Sequence, residues 1–134
     1  MRWMMVLAAA AVLASPAAAQ QAKPVTVYFD AGSDALDAED RALLEEGARQ
    51  LMRFGLMEVR VTGHADGPEG TAEETAGLSQ RRAANVEEFL LSYGVPAGVM
   101  AKAAHGETRP AIETAGPEPA NRRVEITFGP GSGW

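Results

Sequence analysis

Three stretches of this chain hold residue types that could do chemistry: Gly63-His64-Ala65-Asp66, Leu78-Ser79-Gln80-Arg81-Arg82-Ala83 and Asn121-Arg122-Arg123-Val124-Glu125. The first sets an acid in a loop and the second sets a base on a helix. A carboxylate and a guanidinium fixed near one another make a receptor for a zwitterion, the acid taking an ammonium and the base taking a carboxylate. Such a pair binds; it does not by itself break bonds. Each residue also has a plainer reading. Asp66 fits the Asp of an Asp-Gly turn, and Arg82 fits an arginine laying its stem along the helix, as Arg81 beside it is expected to do. Asn121 and Arg122 either line the same site or tie the turn that opens a strand. Arg123 is placed to pair with acids on the sheet, and Asp30 either stands at the rim of the site or closes a turn.

Other chemistries fare worse. His64 and His105, with Asp66 as a third ligand, suggest a metal, but the chain has only two histidines, and zinc sites combine several His or Cys ligands at close spacing. Neither histidine lies in a recognisable nucleophile motif, which argues against serine hydrolysis. The pairs Glu45-Glu46, Glu73-Glu74 and Glu87-Glu88 fall in predicted helices and read as solvated faces rather than glycosidase acids. The expectation is no enzyme, no cofactor and no metal.

Length, charge and cysteine content narrow the classes further. With 134 residues there is room for one domain and a little more, since single cores run about 100–200 residues. The excess is at the front: Met1-Arg2, an apolar run from Met4 to Ala14, and the small residues Ala17-Ala18-Ala19 read as a secretory signal over 1–20. The run is shorter than the ~20 residues a spanning helix needs. Cysteine count is 0, which excludes thiol catalysis, disulfides and a lipid anchor on an N-terminal cysteine. A formal net charge of −6 disfavours nucleic acid, whose affinity rests on neutralised phosphates, and anionic lipid surfaces for the same reason.

The elements that must position these residues follow from pattern. After a polar lead over 21–24, Val25 to Phe29 is β-branched and aromatic and predicts a strand, closed by the turn Asp30-Ala31-Gly32-Ser33. Asp37 reads as a helix cap, Leu44, Ala48, Leu51 and Met52 recur at helical spacing, and Gly55 supplies a stop. Gly47 reads as an interior weakness of that helix. Met57 to Val61 alternates as a strand, His64 to Gly70 as a loop, and Ala72 to Tyr93 as a long helix ended by Gly94-Val95-Pro96. Leu78, Val86, Leu90 and Tyr93 share a face of it with Arg82, which either snorkels at the core's edge or points into a site. Val99 to Ala104 and Arg123 to Phe128 complete the strands, separated by a Gly, Pro and Thr-rich loop over 106–119; residues 129–134 read as a flexible tail. The order predicts an α+β two-layer sandwich, two helices on one face of a four-stranded mixed sheet (β-α-β-α-β-β).

In this order the pieces resemble a known family, the OmpA-like peptidoglycan-binding domain at the C-terminus of outer-membrane protein A, in peptidoglycan-associated lipoprotein and in flagellar stator proteins. The resemblance runs over 25–128. It rests on Phe29-Asp30, Val61-Thr62-Gly63-His64-Ala65-Asp66, Leu78 to Ala83, Gly94-Val95, Gly106-Glu107 with Pro110, and Asn121 to Ile126. It implies that Asp66 takes the ammonium and Arg82 the carboxylate of the diaminopimelate side chain in peptidoglycan stem peptides. Asn121 and Arg122 are then further ligand contacts, with Asp30 and Thr75 secondary. Hydrogen bonds to charged groups, at about 1.5–3 kcal/mol each, support weak binding that many copies on a polymeric wall strengthen. The sequence departs from the family pattern at Ala65, where threonine is usual, at Thr75, where asparagine is usual, and at Ala104, a frequent glycine; the loop from Asp66 to Leu78 is about one residue longer. The implied role is noncovalent wall binding in the periplasm or at the outer membrane. The alternative is an adaptor of the same fold that binds an envelope protein partner instead of the wall.

Overall fold

The computed structural model describes residues 23–55 and 58–129, so the predicted leader, Met57 and residues 130–134 lie outside the described residues. The elements are β1 (Val25–Tyr28), α1 (Ala38–Phe54), β2 (Glu58–Gly63), α2 (Ala72–Tyr93), β3 (Met100–Ala104) and β4 (Arg123–Gly129), with short 3-10 turns at Gly67–Glu69, Ala97–Val99 and Pro119–Asn121. Both helices are closed by local chemistry. Asp37 accepts from the Asp40 amide at 2.8 Å while its own amide donates to the Asp40 carboxylate at 3.1 Å, and Thr71 makes the same reciprocal box with Glu74. Gly55 and Gly94 end the helices at φ 66° and 109°, where a side chain would be strained.

The strands form one sheet in the order β1-β4-β2-β3. β2 and β3 are parallel and joined across α2, whereas β4 runs antiparallel to both β2 and β1. Alternation then divides the faces. Val27, Val59, Val61, Val124 and Ile126 point to the helices and are buried with Leu44, Ala48 and Leu51 of α1 and Val86 and Leu90 of α2. Arg60, Thr62, Arg123 and Glu125 alternate with them onto the uncovered face. The predicted α+β two-layer architecture is the observed one. Among the described residues no helix is long and apolar enough to cross a membrane.

Two details extend the sequence reading. β4 continues to Gly129, a residue assigned to the tail, because Gly129 pairs with Glu58 at the end of β2. The helix runs unbroken through Gly47, and a Cβ there would stand 2.8 Å from Cζ of Phe128, so the residue read as an interior weakness is also where α1 lies against the Phe128 ring of β4. Gly63 is tighter still, its missing Cβ falling 2.1 Å from the Ser79 carbonyl oxygen. This is where β2 meets α2 just ahead of the Asp66 loop. Gly63→Ala is expected to lower stability by about 3 kcal/mol, read as a reduced denaturation midpoint against wild type.

Candidate functional site

Arg82 is fully buried, 0% exposed, on the face of α2 that also carries Leu78 and Val86. A buried guanidinium needs all five of its N–H groups satisfied, and here each has an acceptor. Nε donates to the Ser33 carbonyl at 2.8 Å, one Nη1 hydrogen to the His64 carbonyl at 3.1 Å, and one Nη2 hydrogen to the Asp30 carbonyl at 3.2 Å. The last two form a fork onto Glu69, Nη1 to Oε1 at 2.9 Å and Nη2 to Oε2. The Phe29 ring lies 5.1 Å below the guanidinium carbon, a cation–π contact. Arg82 therefore does not snorkel at the core's edge: its guanidinium is enclosed and held by groups of the protein itself.

Glu69 was not among the residues singled out from sequence, and its side chain is only 3% exposed. Besides the fork, Oε1 accepts from the Asp66 amide and Oε2 from the Gly32 amide, each at 2.7 Å. Burial works to raise the Glu69 pKa, but hydrogen bonds from Arg82 and these two amides outweigh it, and the net shift is downward from 4.5. The signal in the sequence was the spacing Asp66-x-x-Glu69, which matches a capping box, in the loop that is one residue longer than the family pattern.

Asp66 is buried at 3% exposure and is held from the opposite side. Its Oδ2 accepts from the Glu118 amide at 2.7 Å and its Oδ1 from Asn121 Nδ2 at 3.2 Å. Asn121 also donates to the Ile112 carbonyl and accepts from the Ile112 amide, so it pins the 110–121 loop over Asp66. The acid and the base are therefore brought into one region, joined through Glu69. Arg122 serves the end of β1 instead, donating from Nε to the Phe29 carbonyl at 2.8 Å. Asp30 contributes its backbone carbonyl to Arg82. Thr75 is buried, its hydroxyl within reach of the Ala72 carbonyl and of Glu107 Oε2 at 3.2 Å. Arg81 pairs with Asp34 on the surface, as expected, and Arg123 pairs with Glu125 at 2.7 Å.

The two histidines face elsewhere. Their rings lie 5.6 Å apart and border a cleft of about 620 Å³ on the uncovered sheet face, with Arg60, Arg109, Arg123 and Glu125 around it. Asp66 and Arg82 do not line this cleft and are buried. With the Asp66 oxygens committed to Glu118 and Asn121, no group of three metal-ligating side chains occurs among the described residues. His64 is buried, and burial together with the Arg123 charge pushes its pKa down to about 4.

Two outcomes follow from this geometry. Below the usual imidazole value of 6.5 the unfolded chain binds a proton at His64 that the folded chain refuses, so stability falls as pH drops from 6.5 towards 4. Glu69, with its folded pKa depressed, adds a further loss as pH falls below 4.5. Urea unfolding across this range is expected to show both slopes in wild type and only the second in His64→Gln. Arg82→Ala leaves the Glu69 carboxylate buried without its charge partner and is expected to cost about 3–5 kcal/mol, measured by the same titration at pH 7.

Comparison with known proteins agrees with the geometry. The model of the OmpA family matches residues 28–123. The chain is 37% identical over 84 residues to the peptidoglycan-associated lipoprotein of Brucella melitensis biotype 1, covering 63% of this chain and 49% of that protein. It is 32% identical over 114 residues to outer membrane protein A of Bordetella avium, covering 84% and 58%. The chain thus spans about half the length of the curated relatives it matches. Among solved structures, the peptidoglycan-associated lipoprotein from Burkholderia pseudomallei superposes with a TM-score of 0.69 at 28% identity, covering 77% of this chain and 88% of that one. With the family model matching residues 28–123 and the fold shared with that solved structure, the chain belongs to the OmpA family.

Proposed function

We propose that this domain binds peptidoglycan noncovalently in the bacterial cell envelope, holding the diaminopimelate of a stem peptide through Asp66 and Arg82. The observation that carries this reading is the Arg82 pocket itself. Three backbone carbonyls orient the guanidinium so that its two remaining N–H groups face one carboxylate, and the Gly32 and Asp66 amides add two more donors. That is a receptor for a carboxylate, built mostly from backbone. Asp66, beside it, supplies the opposite charge for an ammonium on the same carbon. The names of the relatives support a wall-binding, noncatalytic role. The word "lipoprotein" in the names of those relatives runs against the expectation of no lipid anchor. Export by the segment 1–20 and a periplasmic location belong to the same proposal.

Occupation of the fork by Glu69 favours a second reading, an adaptor of this fold that binds an envelope protein partner. Sedimentation with purified sacculi separates the two. On the wall-binding reading wild type co-pellets, and Asp66→Asn, which keeps shape but loses charge, is expected to bind about ten- to a hundredfold more weakly. Equal pelleting of both proteins would remove Asp66 from the site. No pelleting of wild type at low salt, with proteins recovered by crosslinking in cells, would establish the adaptor.

A further inference from the structure

We infer that Glu69 is an internal ligand, seated where a bound carboxylate belongs, and that an incoming ligand must displace it to reach Arg82. The seat is defined by four converging donors, the Arg82 fork and the amides of Gly32 and Asp66. Together they match the four lone-pair positions of a single carboxylate. Only the fork comes from a side chain, so the seat selects for a carboxylate and is indifferent to the chain that carries it. Glu69 is simply the carboxylate nearest at hand.

The segment that delivers Glu69 is built to leave. It is the 3-10 turn Gly67–Glu69, followed by Gly70, and within that turn only the Glu69 side chain is buried. Its own backbone is held by Glu69 N to Asp66 O at 3.0 Å and Gly70 N to Gly67 O at 3.4 Å. Gly67 and Pro68 are exposed. The hold on the rest of the molecule is therefore concentrated in the Glu69 side chain, whereas Arg82 is fixed by α2 and three carbonyls. When a competing carboxylate enters, the occupant moves and the receptor stays. Because only the open fraction of the protein can bind, apparent affinity is reduced by that fraction. A tight internal occupant makes the domain a weak binder of free ligand and a better binder where stem peptides are dense.

The seat stands on the hydrogen bonds alone; the identity of the competitor as diaminopimelate rests on the proposed function above. Two probes on the 134-residue chain keep these apart. In Glu69→Ala the emptied seat is expected to be filled by acetate, so that acetate raises the melting temperature of the variant above that in chloride at equal ionic strength. Wild type, and Glu46→Ala as an exposed-pair control, should show no such difference. Should Glu69→Ala not fold in chloride, recovery of the fold in acetate carries the same meaning, and Glu69→Gln serves for the binding comparison. Free meso-diaminopimelate, measured by calorimetry, is expected to bind the variant at least tenfold more tightly than wild type. Absence of an acetate effect specific to the variant overturns the seat. Equal affinity of variant and wild type for diaminopimelate overturns displacement. Acetate rescue with no binding of diaminopimelate to either protein leaves the seat standing and defeats the wall-binding reading.

Discussion

A guanidinium with no exposed surface sits at the junction of α2, the ends of β1 and β2, and the two loops that follow them. Removing such a charge from water costs several kcal/mol even after relaxation, and only a full set of acceptors offsets this. Arg82 finds them in the carbonyls of Asp30, Ser33 and His64 and in the Glu69 carboxylate. The acceptors come from two pieces of chain, the Asp30–Ser33 turn after β1 and the His64–Glu69 loop after β2. Satisfying the arginine thus fixes where β1 stops, how the turn after it folds, how β2 leaves the sheet and how far the following loop bends back. Close packing supports the arrangement from below, since Gly63 lets β2 touch the backbone of α2 one turn before Arg82.

The same region shows how an enclosed arginine is stabilised by the chain's own groups. An open pocket with a buried, half-satisfied arginine would be costly. Here the loop between β2 and α2 supplies the missing carboxylate. Asp66, at the head of that loop, is turned towards the 110–121 segment, where the Glu118 amide and Asn121 satisfy its oxygens. The acid and the base are thereby kept apart in function while adjacent in space, with Glu69 and the Asp66 amide as the link.

The two faces of the sheet carry opposite chemistry. One is the apolar seam against both helices. The other, uncovered face gathers Arg60, Arg109, Arg123 and two imidazoles around a single glutamate, although the chain as a whole is acidic. His64 belongs to that second face, and burial beside Arg123 keeps it neutral. It contributes its carbonyl, not its ring, to the site at Arg82. This is why a motif that reads Gly-His-Ala-Asp along the chain does not present histidine and aspartate to one ligand.

Local signals in the sequence were enough for the elements and their order. The cap at Asp37, glycine stops at Gly55 and Gly94, and alternation in β2 and β4 are short-range effects, and α2 spans Ala72–Tyr93 as its pattern predicts; its cap at Thr71 emerged with the structure. The family motif likewise marked Asp66 and Arg82 from residue types alone. What the sequence could not settle was which partner each charge takes, because those partners lie up to 55 residues away and depend on how the loops close over the sheet. Glu69 drew no reading from the sequence. Only the tertiary fold brings it onto Arg82, since burying the arginine requires a carboxylate and the Gly67–Glu69 turn supplies one.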